Sequence, residues 1–355
     1  MSVLDPRGRA DRAKARLDTV ERAVGHRRDQ VARLTAQVAV LSEEARTPGE
    51  RTVGDASDPE TTLGVPSYSL AARLHRRANT TGFNRREGVR EPIFRLNVKS
   101  LALRWAAENG VRVPRTLGRW PDPDAVDWGS LPDRFVLKDA IGGGGMRVFP
   151  LVRDTATQYT DVLTGEPTTR EEVTAKLWER HEKRSQYFAE EFLVGRTGGP
   201  GALPDDIKVF CFYGEPAYLE VRRGDQSRAS NTTQRVRAFA IDGTELVNVR
   251  VLMESGDRDI DAPADFGAVA EAAGRLSAAI RRPLERLDFY ETDDGVVFGE
   301  ATMNPGRPPA LIPEWDRRLG EIYERAYARL LRDLADEGAL HVVFGDSSDT
   351  AEPRE

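Results

Sequence analysis

The sequence predicts an α+β protein made of antiparallel hairpins and amphipathic helices, preceded by a coiled-coil helix. Three stretches carry that prediction: a glycine-rich hairpin over residues 135–149, a hairpin bearing two acids over residues 286–306, and a heptad repeat over residues 13–45. In the first, Phe135-Val136-Leu137-Lys138 favours a strand and ends in a lysine, Gly142, Gly143, Gly144 and Gly145 follow, and Val148-Phe149 opens a second apolar run. Glycines let backbone N–H groups approach an anion because no Cβ stands in the way. Lys138 adds a compact positive charge suited to phosphate oxygens. A flexible turn with an exposed lysine beside it is the plain alternative.

In the second hairpin, Arg286-Leu287-Asp288-Phe289-Tyr290 and Val296-Val297-Phe298-Gly299-Glu300 flank the turn Asp293-Asp294-Gly295, placing Asp288 and Glu300 on partner strands. Acids in adjacent apolar strands are costly unless something positive compensates them. Mg²⁺, which takes oxygen ligands and also holds phosphates, would do so. Bonding to arginines, which are plentiful here, is the other reading. In the third stretch Leu17, Val24, Val31 and Val38 hold one heptad position, and Val20, Leu34 and Leu41 the other, interrupted at Arg27. So narrow an apolar strip is a coiled-coil seam. It predicts a homodimer, with a helix folded against its own domain as the alternative.

The 355 residues suffice for one large domain or two, with a substantial core. A net charge of −6 gives no reason to expect nucleic acid or an anionic membrane as partner. No run of 18 apolar residues suggests a membrane span, and charges in place of an apolar signal core after Met1 point to the cytoplasm. The single cysteine, Cys211, excludes an intramolecular disulfide or a cysteine metal site, and His26, His75, His181 and His341 show no metal spacing. Of 52 basic residues only six are lysines (Lys14, Lys99, Lys138, Lys176, Lys183 and Lys208), so each lysine is informative.

In chain order, the coiled coil of residues 1–46 is followed by a polar Pro/Gly linker over 47–64. Helices are expected over 67–77, 97–109, 169–182, 264–280 and 317–336. A strand over 187–194 carries Glu190 and Glu191 at its centre, and a loop over 195–204 follows. A hairpin comes next, with strands over 205–212 and 217–221, ended by Arg222 and Arg223; short strands are expected over 236–239 and 246–251. Residues 343–355 are a polar tail expected to be disordered.

The ordered set resembles the ATP-grasp superfamily of ATP-dependent carboxylate–amine ligases. It consists of a lysine before a glycine-rich hairpin, Glu190-Glu191-Phe192-Leu193, Asp206-Ile207-Lys208, and Asp288 with Glu300-x-Thr302-x-x-Pro305-Gly306. Val98-Lys99, Leu131-Pro132-Asp133-Arg134-Phe135-Val136-Leu137-Lys138 and Asp206–Gly214 resemble the branch named for a teichuronopeptide-biosynthesis protein, over roughly residues 95–320. The resemblance implies two α+β subdomains clasping ATP, here residues 133–194 and 195–342, with residues 65–132 as the preceding region. It implies that Lys99, Lys138 and Lys208 meet the nucleotide and that Gly142–Gly145 fold over the triphosphate. Glu190, Glu191, Phe192 and Leu193 would form the adenine hinge, and Arg222 or Arg223 would bind the acylphosphate or the substrate carboxylate. Asp288 and Glu300 would hold Mg²⁺, or Mn²⁺ in its place, with Thr302 or Asn304 completing the set. Members of the superfamily often carry Glu-x-Asn where this chain has Glu300-x-Thr302, and the glycine loop here lacks the usual serine.

The function implied is amide formation between small-molecule or peptide carboxylate and amine substrates, through an acylphosphate, in cell-surface or secondary-metabolite biosynthesis. A nucleotide-binding scaffold and a kinase-like phosphotransferase are the alternatives.

Overall fold

The computed structural model describes residues 68–89, 92–141, 147–179, 181, 186–196, 201–223, 235–247, 249, 260–305 and 311–339. The heptad, the linker, Gly142–Gly145 and the tail lie outside the described residues. So does half of the strand expected over 246–251.

The elements follow the alternation of apolar positions along the chain. Helix α1 is Leu70–Arg86, capped at Ser69, whose hydroxyl accepts from the Ala72 N–H at 3.0 Å. It runs past the expected end at Arg77, through Asn79-Thr80-Thr81-Gly82, although these are weak helix formers. A 3₁₀ turn over Pro92–Asn97 leads into α2, Lys99–Glu108, which falls within two residues of the helix expected over 97–109. The next strands are β1 (Thr116–Trp120), β2 (Arg134–Asp139), β3 (Val148–Arg153), β4 (Gln158–Asp161) and β5 (Glu166–Thr169). Helix α3 (Arg170–Trp178) begins with a Thr169/Glu172 capping box, and β6 is Tyr187–Glu191. The second half has β7 (Asp206–Phe212), β8 (Glu215–Arg223), β9 (Arg235–Ala240), β10 (Glu245–Leu246), α4 (Phe266–Ile280), β11 (Glu285–Thr292), β12 (Gly295–Thr302) and α5 (Pro313–Asp336).

Two six-stranded antiparallel sheets result, in the orders β1-β6-β2-β3-β4-β5 and β10-β9-β8-β7-β11-β12. Side chains alternate across each strand. On the first sheet Phe135, Leu137, Phe149, Leu151, Tyr187 and Ala189 pack beneath Val173 and Leu177 of α3. The intervening Lys138, Phe188 and Glu190 therefore face the other way. On the second sheet Val209, Cys211, Leu219, Val221, Leu287 and Phe289 pack against α2 and α4. The opposite face is divided: Phe210, Phe212 and Tyr218 lie under α1 and α5, and charged residues occupy the remainder.

Three boundaries differ from the expected ones. Strand β6 stops at Glu191, leaving Phe192 and Leu193 beyond it, and β8 continues through Arg222 and Arg223, which are strand residues paired with Asp206 on β7 and Arg235 on β9 respectively. Residues 116–120, expected to precede the first subdomain, are its edge strand.

Helix α5 crosses α1 closely enough that a Cβ on Gly320 would overlap the Tyr68 carbonyl, and Asp316 Oδ1 accepts from the Ala71 N–H at 2.7 Å. Glycine costs a helix about 1 kcal/mol relative to alanine, so the close approach explains its presence. Gly320→Ala should destabilise the fold by about 2 kcal/mol or more through overpacking. Thermal unfolding checks this, with a fall in Tm of several degrees expected.

At the start of β11, Glu285 is fully buried beside Ser277, Arg77 and Arg282. Burial pushes its carboxyl up to about 8, although those three neighbours favour the charged form. An unfolded glutamate titrates near about 4.3. The protonated group's contribution to stability is therefore fully present below that value and is lost as pH rises through about 8. Glu285→Gln should abolish this dependence and be the more stable protein at pH 9 by about 2 kcal/mol, as urea unfolding at pH 6 and pH 9 will measure.

Candidate active site

The charged part of the second sheet is a row in register across four strands. Glu220 on β8 stands opposite Lys208 on β7, Lys208 opposite Asp288 on β11, and Asp288 opposite Glu300 on β12. Lys208 Nζ lies 2.6 Å from Asp288 Oδ2 and 2.5 Å from Asp206 Oδ2. Arg286, two residues before Asp288 and so on the same face, grips that carboxylate with both arms: Nε to Oδ1 at 2.6 Å and Nη2 to Oδ2 at 2.8 Å. Its Nη2 also reaches Glu300 Oε1 at 3.5 Å and Thr302 Oγ1 at 3.0 Å. Arg222 binds Glu220 at 2.6 Å, whereas Arg223 alternates to the opposite face and pairs with Asp205 at 2.8 Å.

These contacts set the protonation states. Burial raises Asp288, but Lys208 and Arg286 outweigh it and hold the carboxyl well below the usual range. Burial pulls Lys208 down, but Asp206 and Asp288 more than offset this. Glu300 is pushed up, first by burial and then by the negative charge of Asp288. The hydroxyl of Tyr290, next on this face, is driven well above its ordinary value by burial and by Asp206, Glu190, Glu300 and Asp288.

Glu190 belongs to the first sheet, so the two sheets meet here. Lys138 on β2 is 7% exposed and ion-paired with Glu190 of β6, itself 3% exposed; Glu190 Oε2 has no hydrogen-bond partner. Lys99 is also buried, at the first position of α2, with its backbone N–H donating to the Ala140 carbonyl at 3.0 Å. Burial lowers the Lys99 ammonium, opposed by Glu300, Asp139 and Glu190 and reinforced by Lys138. The positive end of a helix dipole also disfavours a cation there. A buried ion pair is commonly no more stabilising than an apolar pair of the same volume. Fold stability therefore gives little reason for three buried lysines in a chain with six, and three neighbouring ammonium groups have the chemistry to meet an anion.

The structure brings together Lys99, Lys138, Glu190, Lys208, Arg222, Asp288, Glu300 and Thr302. Arg223 lies apart, and Glu191 is occupied by the Arg115 N–H at 2.9 Å. Arg286 and Asp206 were not anticipated, although their spacing of two from Asp288 and Lys208 puts them on the same strand faces. The donor chemistry fits a divalent cation. Asp288 and Glu300 are paired across strands with a repulsion that a cation would relieve, and Asn304 Oδ1 is buried without a partner, while Nδ2 donates to Thr81 Oγ1 at 3.2 Å. Among the described residues no cluster of three His, Cys, Asp or Glu side chains forms a metal site. A cation at Asp288 would therefore have to share that carboxylate with Lys208 and Arg286. Among the described residues, no helix is long and apolar enough to cross a membrane.

A family model described as TupA-like ATP-grasp matches residues 81–324, well over half of the chain. The fold of these two sheets is accordingly the ATP-grasp fold. This chain belongs to the TupA-like ATP-grasp family. Among solved structures it is similar to a D-alanine–D-alanine ligase from Bacillus anthracis complexed with ATP, at 16% identity and a TM-score of 0.42, covering 79% of this chain and 75% of that one. It is also similar to the D-cycloserine synthetase DcsG, at 17% identity and a TM-score of 0.40, covering 73% and 81%. A third is the ATP-grasp ligase PsnB with a minimal precursor, Mg and ADP, at 16% identity and 0.38, covering 85% and 73%. No curated protein matches the chain.

Proposed function

We propose that the protein is an ATP-dependent carboxylate–amine ligase working through an acylphosphate, in cell-surface polymer or secondary-metabolite biosynthesis. The observation that carries this reading is the convergence of buried Lys99, Lys138 and Lys208 on one charged site. Lys99 and Lys138 bind nucleotide phosphates. Glu190 and the segment through Leu193 hold the adenosine end. A carboxylate oxygen of the acid attacks the γ-phosphorus, the bond to the β-phosphate oxygen breaks, and ADP leaves. Lys208 neutralises charge on the transferring group, and Arg222 with Arg286 faces the acylphosphate. The amine nitrogen then attacks the acyl carbon, phosphate departs with its bridging oxygen, and the nitrogen loses a proton. Asp288 and Glu300, with Asn304 or Thr302, would hold Mg²⁺, which supplies charge neutralisation at the phosphates.

A screen of small-molecule and peptide acids with amines tests this. ADP and phosphate should appear together, dependent on both substrates. Release of AMP and pyrophosphate would reject the acylphosphate in favour of adenylation.

A further inference from the structure

A cavity of about 290 Å³ opens at the end of the first sheet, lined by Ser100, Arg119, Trp120, Ala140, Tyr187 and Phe188, among others. Arg119 on β1 is in register with Phe188 on β6, which is in register with Lys138 on β2. These three side chains therefore share the face that carries Glu190. Neighbouring strands lie about 4.8 Å apart, so the Arg119 and Lys138 backbones are roughly 10 Å apart, a gap that their long side chains can close from both ends. Arg119 is exposed, and among the described residues no carboxylate pairs with it. This sets it apart from Arg147, which pairs with Asp139, and from Arg222, Arg223 and Arg286.

We propose that this cavity seats the acid substrate, with Arg119 holding its carboxylate beside the nucleotide phosphates; the assignment rests on the ligase reading above. A guanidinium fork matches one carboxylate bidentately. Trp120 beside Arg119 suits an apolar or ring-shaped body and not a polyphosphate, which needs several cations. The volume lies at the lower end of small-molecule sites, so the ligand is a small acid or the end residue of a larger one.

The test uses the full chain and tryptophan fluorescence, since Trp120 lines the cavity. Benzoate, phenylacetate, L-glutamate and N-acetyl-D-alanine are each titrated beside the corresponding amide, with calorimetry in parallel. At least one acid should bind in preference to its amide, and Trp120→Phe should remove most of the optical signal. Arg119→Gln should weaken that acid at least tenfold while leaving ADP affinity within twofold. The assignment is overturned if no acid is preferred to its amide, if Arg119→Gln binds equally well, or if ATP displaces the acid, which would make the cavity part of the nucleotide site. Acid binding that depends on Arg119 in a chain that binds no ADP would instead sink the ligase reading and leave the cavity assignment standing.

Discussion

Lys138→Met should weaken ATP binding roughly 100-fold, the loss expected when one charge-assisted phosphate contact is removed, and should also destabilise the protein. The second effect follows from Glu190, which is buried and ion-paired with Lys138, with its other oxygen already unpartnered. Without the ammonium it becomes an uncompensated buried charge, at a cost of about 3–5 kcal/mol. Glu190→Gln in the same chain should restore most of that stability without restoring ATP affinity. Urea unfolding of both variants, with nucleotide calorimetry on each, separates the two roles. Full ATP affinity in the stable double variant would remove Lys138 from the site.

Asp288→Asn should behave in the opposite sense, remaining folded but losing turnover by about 1,000-fold. Its two cationic neighbours do not depend on it alone. Lys208 keeps Asp206 at 2.5 Å, and Arg286 keeps Glu300 at 3.5 Å and Thr302 at 3.0 Å. Asparagine also retains one carbonyl oxygen to accept from Arg286. It loses the charge that would bind a divalent cation and orient Lys208. The expected signature is a near-normal Tm, a collapse of turnover, and a Mg²⁺ requirement shifted to much higher concentration. Near-normal turnover with an unchanged Mg²⁺ requirement would leave Asp288 as an ion-pair partner only, which is the other reading open to acids beside so many arginines.

Much of this site was legible because lysine is scarce in the chain. Lys99, Lys138 and Lys208 stood out among 46 arginines, and all three are buried at the site. Arg286 was hidden by the same abundance, since nothing in an arginine-rich chain distinguishes the one that grips Asp288. The alternation within β7 and β11 was readable locally, but their register, Lys208 against Asp288 across 80 positions, is a long-range pairing that no local pattern specifies. Strands β1, β4 and β5 were missed because Thr116–Trp120 contains a glycine and has no fully buried residue, and Gln158–Asp161 with Glu166–Thr169 is mostly polar. Helix α1 outran its expected end through Asn79-Thr80-Thr81-Gly82, a run whose propensity argued against it. Whether Thr302 or Asn304 serves a cation was open in the sequence. In the structure the Thr302 hydroxyl is engaged by Arg286, whereas Asn304 Oδ1 is buried without a partner.

The most direct measurement of the acylphosphate uses an acid found active in the screen, labelled with ¹⁸O in its carboxylate. One ¹⁸O should pass into inorganic phosphate for each amide formed, with ADP as the nucleotide product. Unlabelled phosphate, or label appearing in AMP, would contradict carboxylate attack on the γ-phosphate.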